Sequence, residues 1–199
     1  MSLTKQSKTL TSHQINSMSD YLRKGRNGLR NQTIFLLSVK SGFRAKEISK
    51  LTWSEVCDSN GQIGTHINLT NRSTKGFSGR IIPIHKDLGI NLSALLEYQR
   101  KFTNFDFNNS FVIRTERSPS TTAQCIVNMF QGWYKRLNYV GCSSHSGRRT
   151  FITETAKKIS LVGGSLRDIQ YLSGHSSLQT TQRYIEGDSQ SRIKVVNLL

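Results

Sequence analysis

The chain has 199 residues, 35% of them hydrophobic, which suits a single domain with its own core. Its 28 Lys and Arg against 12 Asp and Glu give a net charge of +16, and because so basic a domain repels itself, nucleic acid is the expected partner. There is no apolar run of about 18 residues and Cys57, Cys125 and Cys142 lie far apart, which argues against a membrane partner, a zinc module and a disulfide scaffold.

The first third of the chain is predicted to be helical. Thr11 followed by Gln14 has the pattern of a capping box, which predicts a helix beginning directly after Thr11. Residues 32–41 are apolar nearly all round, which indicates a buried helix, and Gly42 is placed to end it. A short third helix is predicted at residues 45–51.

A period of two residues then replaces the helical period. Residues 63–69 alternate apolar with more polar side chains, which predicts a half-buried strand. Two further strands are predicted at residues 71–75 and 80–84, and the glycines within residues 76–79 suit the turn that joins them.

The helical pattern returns in the second half of the chain. Helices are predicted at residues 92–102, 122–137, 148–159, 166–172 and 177–185. The expected fold class is therefore α+β, a mostly helical domain with a small antiparallel three-stranded sheet.

The last third of the chain carries a basic pair, a Gly-His step and a late tyrosine, in that order. Arginine suits phosphodiester transfer, because its planar fork binds two phosphate oxygens at once and stays charged at neutral pH. His145 and Arg148 alone are weak evidence, since their spacing is expected by chance in so basic a chain. His175 followed by Thr181 and Tyr184 at fixed spacing is much more specific, and a phenol can attack a phosphodiester.

With these segments the chain resembles the tyrosine recombinase (phage integrase) family. The match runs from residues 41–48 through residues 74–76 to the segments of His145 and Tyr184, and it covers the chain from about Thr11 onward. The resemblance implies the family's catalytic fold and a site-specific recombinase or integrase of a phage or mobile element. Such an enzyme cleaves and rejoins DNA through a 3′-phosphotyrosyl intermediate and needs no metal, ATP or other cofactor.

The resemblance also implies a role for each matching catalytic residue. Tyr184 is the expected nucleophile, and Arg44 and Arg148 are expected to grip the scissile phosphate. Lys75 would protonate the departing 5′ oxygen, which requires that neighbouring cations or burial lower its pKa.

Three further residues match the family's supporting positions. His145 would assist proton movement or orient the phosphate, and His175 would donate a hydrogen bond to it. Glu47 would brace the arginine site, although a solvated helix carboxylate explains this residue equally well.

Neighbouring residues offer alternatives to some of these assignments. Arg149 adjoins Arg148, but one residue turns a helical side chain by about 100°, so we expect only Arg148 to face the phosphate. Tyr171 is the rival tyrosine, and its helical spacing predicts packing instead. His85 and Lys86 are interpreted as residues that face DNA or solvent.

The expected organisation is a loose segment at residues 1–10, a catalytic domain at residues 11–187 and a tail at residues 188–199. Arg44 lies too near the start for the helical DNA-binding domain that usually precedes this catalytic domain. An isolated catalytic domain and a naturally short form both fit. The tail is expected to dock on a neighbouring protomer, with folding back in cis as the alternative.

The expected partners are double-stranded DNA and other protomers, joined in a tetramer on paired sites, with accessory DNA-bending proteins. The expected location is the cytoplasm, at the bacterial nucleoid. Two other functions stay open. A type IB topoisomerase uses similar residues, and a DNA-binding regulator could retain the fold and charge without cutting.

Overall fold

The computed structural model describes residues 6–71, 79–184 and 196–197, which hold eight α-helices and one small sheet. In chain order the elements are α1 (Ser12–Lys24), α2 (Gly28–Ser41), α3 (Ala45–Lys50), β1 (His66–Leu69), β2 (Arg80–Pro83), α4 (Lys86–Gln99), α5 (Ala123–Arg136), α6 (Ser146–Lys158), α7 (Leu166–Ser173) and α8 (Leu178–Gln182). Short 3-10 turns lie at Trp53–Glu55 and Ile159–Val162. The helical α+β class is confirmed.

The capping box at the start of α1 is confirmed. The Thr11 hydroxyl accepts from the Gln14 amide at 3.2 Å, and the Gln14 side chain accepts from the Thr11 amide at 3.0 Å. Helix α2 is buried, as predicted, but it begins at Gly28 instead of residue 32. It ends at Gly42, whose φ of +69° is a left-handed conformation that glycine adopts without strain.

The sheet has two antiparallel strands among the described residues, with His66 opposite Pro83 and Leu69 opposite Arg80. The prediction of three strands is wrong in its count there, because β1 pairs directly with β2. Asn71, expected to open the middle strand, lies in a turn, where its side chain accepts from the Gly79 amide at 2.9 Å. Residues 72–78, which include Lys75, lie outside the described residues.

Helix α2 forms the centre of the core, with α1, α4 and α6 packed around it. Helix α7 contacts α6, α8 and β2. This packing brings the end of α2, the beginning of α6 and the end of α7 to one region of the surface. Three segments that are far apart in sequence therefore meet there.

The segment before α1 is held more firmly than we expected. The Lys8 amide donates to the Gly141 carbonyl at 3.0 Å, and the Leu10 amide donates to the Thr150 hydroxyl at 2.8 Å. Leu10 is also buried in the core. Residues 8 and 10 are thus fixed against the helical body, because the Leu10 side chain completes the core.

Two features concern the chain's ends and its surroundings. Of the tail at residues 188–199, the structure describes Val196 and Asn197, so the predicted docking lies outside the described residues. None of the described helices combines the length and the apolar character that crossing a membrane requires.

Candidate functional site

A cleft of about 410 Å³ opens where the ends of α2, α6 and α7 meet. Its described lining residues are Gln6, Ser7, Arg44, His145, Arg148, Arg149, His175, Thr180, Arg183 and Tyr184. Five of the seven predicted site residues therefore lie together. Glu47 lies behind this lining, and Lys75 is outside the described residues.

Arg44 is the N-cap residue of α3, two residues after the glycine that ends α2. Its guanidinium Nη1 donates to a carboxylate oxygen of Glu47 at 2.9 Å, and its amide donates to the other oxygen at 2.8 Å. About a third of the Arg44 side chain is exposed, so the group that holds Glu47 also reaches the cleft.

Glu47 is buried and ionised. Burial opposes its ionisation, but hydrogen bonds and positive charge from Arg80 and Arg44 outweigh this and hold the pKa of the carboxyl below its ordinary value. The bracing interpretation of Glu47 agrees with this geometry, whereas a solvated carboxylate does not, since the side chain is 1% exposed.

Sequence reasoning missed Arg80, which donates Nη1 to one oxygen of Glu47 at 3.0 Å and Nη2 to the other at 3.2 Å. A signal was present in the sequence. In a strand, alternate residues share a face, so Arg80 lies on the same side as the buried Ile82. A buried arginine needs a buried acceptor, and Glu47 is that acceptor.

Arg148 lies in the first turn of α6 and is almost fully buried. Its Nη1 donates to the Gly42 carbonyl at 2.5 Å and its Nη2 to the Ser173 carbonyl at 2.6 Å. Burial and the nearby charge of Arg44 lower the pKa of Arg148. A guanidinium has donors beyond those two bonds, and these are available to an anion in the cleft.

His175 follows directly after Gly174, which ends α7 in the left-handed conformation. Its Nδ1 lies 2.9 Å from the hydroxyl of the buried Thr181. Burial, with the charges of Arg148, Arg44 and Arg80, lowers the pKa of His175 to about 4. The imidazole is therefore neutral at pH 7. If Thr181 donates to Nδ1, the proton lies on Nε2, which can donate into the cleft.

Tyr184 lies just beyond α8, and its ring contacts two other residues of the cleft. The ring stacks on His175 at a centroid distance of 5.6 Å and an interplanar angle of 22°. The guanidinium carbon of Arg149 lies 6.0 Å from the centroid of the same ring. Both Arg148 and Arg149 line the cleft, and the expectation that only Arg148 faces the phosphate stays a prediction.

His145 occupies the N-cap position of α6 and is exposed. Its amide donates to the Ser143 hydroxyl at 3.2 Å, which orients the turn before the helix. His145 is also among the residues that line the cleft.

The alternative residues have other positions. Tyr171 is about half exposed and is not among the described residues that line the cleft; its hydroxyl accepts from the Ile81 amide at 3.1 Å. His85 caps α4, with Nδ1 accepting from the Asp87 amide at 3.2 Å. The interpretation of His85 as facing DNA or solvent missed this cap, which begins α4 six residues before the predicted start.

The cleft combines exposed and buried arginines, a neutral histidine and a tyrosine. No group of three or more His, Cys, Asp or Glu able to hold a metal ion occurs in residues 6–71, 79–184 and 196–197. Guanidinium groups bind phosphate oxygens, and a phenol beside them can act as a nucleophile. The arrangement therefore suits nucleophilic attack on a phosphodiester.

Comparison with known proteins gives matches over most of the chain. A family model described as the phage integrase family matches residues 8–191. Tyrosine recombinase XerD of Listeria monocytogenes serotype 4b (strain F2365) is 27% identical over 159 residues, covering 79% of this chain and 50% of the relative. Tyrosine recombinase XerA of Pyrococcus furiosus is 29% identical over 177 residues, covering 89% of this chain and 56% of the relative. The chain thus spans about half the length of these relatives.

Solved structures share the architecture. The XerA recombinase superposes with a TM-score of 0.75 at 22% identity, covering 96% of this chain and 64% of that one. The Tn1549 transposon integrase, in complex with a circular intermediate DNA, superposes with a TM-score of 0.73 at 20% identity, covering 99% and 67%. These likenesses show that the fold of this chain is the fold of those recombinases.

Proposed function

Because the match over residues 8–191 shows that this chain belongs to the phage integrase family, we propose that it is a site-specific DNA recombinase. It cleaves and rejoins double-stranded DNA through a 3′-phosphotyrosyl intermediate. The observation that carries this proposal is the meeting of Arg44, Arg148, His175 and Tyr184 in one cleft. No local sequence pattern requires these residues to be neighbours.

The chemistry follows from the residue types. The phenol oxygen of Tyr184 attacks the phosphorus, a bond forms between them, and the bond from phosphorus to the 5′ oxygen breaks. Arg44 and Arg148 neutralise the charge that grows on the non-bridging oxygens, and His175 donates to one of them from Nε2. The phosphodiester is exchanged for another of similar energy, so the reverse attack by a 5′ hydroxyl rejoins the strand. Removing one such donor costs roughly 3 to 4 kcal/mol of barrier.

Proton transfer needs a donor for the departing 5′ oxygen and an acceptor for the phenol proton. By the family resemblance Lys75 is the donor, and this assignment stays a prediction. The exposure of His145 and its position in the lining of the cleft support its role as a proton carrier. Glu47 supports Arg44 through the two hydrogen bonds already described.

The proposed substrate is double-stranded DNA, which the net charge of +16 supports. Among the structural relatives, a lambda integrase dimer is bound to a core site and XerH is bound to its difH substrate. For this chain we propose assembly as a tetramer on paired sites, with accessory DNA-bending proteins and with residues 188–199 docking on a neighbour. Such a protein acts in the cytoplasm, at the nucleoid.

Covalent trapping tests the proposal. Nicked duplexes made from the DNA that flanks the gene are incubated with wild type, with Tyr184→Phe and with Tyr171→Phe as the matched control. We expect a denaturant-resistant adduct with wild type and with the control, whose tyrosine lies outside the lining of the cleft. Tyr184→Phe should form none, because only the attacking oxygen has been removed.

Each other outcome contradicts part of the proposal. An adduct that persists in Tyr184→Phe places the nucleophile elsewhere. Tight DNA binding without any adduct in wild type favours a regulator that does not cut. Relaxation of supercoiled DNA without site preference favours topoisomerase activity.

A further inference from the structure

Three arginines converge on three consecutive carbonyl groups at the end of α7. Arg80 donates Nε to the Leu172 carbonyl at 2.9 Å. Arg148 donates Nη2 to Ser173 at 2.6 Å, and Arg44 donates Nη2 to Gly174 at 3.4 Å. We call residues 172–174 the carbonyl row. The last carbonyls of a helix have no partner within the helix and carry its negative dipole end, so they attract cations.

Arg80 differs from the other two arginines in its access to the cleft. Its side chain is 1% exposed, and it is not among the described residues that line the cleft. Arg44 and Arg148 do line it. Arg80 is therefore placed to act on a bound phosphate through other residues and not by contact.

The contacts of Arg80 join two parts of the site. Its two terminal nitrogens hold the two oxygens of Glu47, which in turn hold the side chain and the amide of Arg44. Its Nε holds the carbonyl row, directly before His175. One planar group thus connects the element that carries the first phosphate-binding arginine to the element that carries the histidine.

The fold leaves room for a guanidinium at this point. Gly174 has a φ of +59°, and a Cβ built on it would lie 2.8 Å from Arg80 Nη1. A side chain there would collide with the arginine. The glycine of the Gly-His step therefore serves two purposes: it adopts the left-handed turn and it admits Arg80 against the carbonyl row.

We propose that Arg80 is a positioning residue, which locks Arg44 through Glu47 to the carbonyl row and so sets the spacing of Arg44, Arg148 and His175 before DNA binds. This inference rests on the proposed function for its effect on cleavage. Its structural part, the locking of the row, does not depend on that function. The competing explanation is that Arg80 only neutralises a buried carboxylate.

Four variants separate these explanations. Arg80→Met removes both the positive charge and the planar guanidinium group. Arg80→Lys keeps the charge but loses the planar group that reaches several acceptors. Arg80→Met with Glu47→Gln also removes the buried carboxylate, so that no ion is left unpaired. Arg26→Met is the matched control, because Arg26 forms a two-bond pair with Glu116 at an exposed position.

The first measurement is single-turnover cleavage of a nicked duplex at saturating protein, together with the Kd for the same duplex. We expect Arg80→Met to cleave at least about tenfold more slowly, as misplacement of phosphate donors predicts, with a Kd within about threefold of wild type. Arg80→Lys should be intermediate and the control unchanged. In the double variant no buried carboxylate is left unpaired, but no arginine at residue 80 bonds the carbonyl row. We therefore expect its cleavage to stay slow. Recovery of the wild-type rate in the double variant would establish mere neutralisation and overturn the proposal.

The pH profile of cleavage gives a second readout. Among the described residues, the charged groups that act on Glu47 are Arg44, Arg80 and Arg148, and the titratable groups beside these arginines include His175 and Tyr184. Removing the charge of Arg80 raises the pKa of both Glu47 and His175. As the pH is lowered, Arg80→Met should therefore lose activity at a higher pH than wild type does. Arg80→Lys should keep the wild-type profile. A profile that does not move in Arg80→Met contradicts the proposal.

A third readout needs no DNA. Amide hydrogen exchange at Gly174 and His175 should be faster in Arg80→Met and unchanged in Arg26→Met, because the first variant releases the carbonyl row. Unchanged exchange at both amides overturns the locking role. If wild type forms no adduct with DNA, the proposed function fails, and this exchange measurement still decides the role of Arg80.

Discussion

Around the cleft, the arginines control the protonation of the residues between them. Glu47 is buried yet ionised, because Arg80 and Arg44 bond both of its oxygens. His175 is held neutral, since burial and the charges of Arg148, Arg44 and Arg80 all disfavour its protonated form. The positive charge that suits a phosphate therefore also keeps His175 in its neutral form, which can donate a hydrogen bond without carrying charge.

The lowered pKa of His175 predicts a pH dependence of stability. The pKa falls from 6.5 to about 4 on folding, so between these values the unfolded chain binds a proton that the folded protein does not. The unfolding free energy should therefore fall as the pH is lowered from 6.5 toward 4. In His175→Gln the unfolding free energy should fall less steeply with pH, because the unfolded chain no longer takes up the proton of this histidine.

Denaturant unfolding at several pH values checks this, with His13→Gln as the control, because His13 is exposed on α1. The control should follow the wild-type slope. Equal slopes in wild type and His175→Gln would show that His175 titrates normally in the folded protein.

At the level of elements, the close approach of α2 and α6 positions Arg148. Gly147, the residue before it, faces α2 so closely that a Cβ would lie 2.5 Å from the Ser38 hydroxyl oxygen. Both residues are buried. The first turn of α6 can therefore bring Arg148 under the Gly42 carbonyl only because residue 147 has no side chain.

Gly147→Ala should separate the two helices or force a strained packing. We expect a loss of about 1 to 3 kcal/mol of unfolding free energy, as overpacked cores show, and slower cleavage because Arg148 moves with its helix. Gly132→Ala on α5 is the matched control, since a Cβ there meets nothing within 4 Å. It should raise stability by about 0.5 to 1 kcal/mol. Equal effects of the two substitutions in chemical denaturation would contradict the close-packing explanation.

At the scale of the whole molecule, the proposed binding of DNA is expected to depend mainly on charge. The net charge of +16 is spread along the chain, and Arg44, Arg148, Arg149 and Arg183 gather at the cleft. Each phosphate that such groups neutralise releases counterions, so binding weakens as salt rises. We therefore expect the affinity of this chain for DNA to depend steeply on salt.

A salt titration of DNA binding measures this. If about six phosphates are neutralised, affinity should fall roughly a thousandfold between about 50 and 200 mM salt. Arg149→Gln, which removes one cation from the lining of the cleft, should reduce the slope of log affinity against log salt by about one. Nanomolar binding that hardly changes with salt would contradict the electrostatic explanation of DNA binding.

Local patterns predicted much of the fold because they depend on neighbours in the chain. The capping box at Thr11, the buried character of α2 and its end at Gly42 follow from hydrogen bonds and burial within a few residues. The starts of α2 and α4 were missed because a glycine and a histidine cap begin them. The strand count was missed because pairing partners are set by register and not by composition.

By itself the sequence determined the fold class, the expectation of a nucleic-acid partner and the residue types of the site. Net charge, hydrophobic period and the order of motifs depend only on the order of residues in the chain. Tertiary structure alone decided that Arg80 stands behind Glu47 and that Arg149 shares the cleft with Arg148. It also decided that three arginines meet the end of α7. The physical reason is that a buried charge is stable only beside its partners, and here the partners come from separate elements joined only by packing.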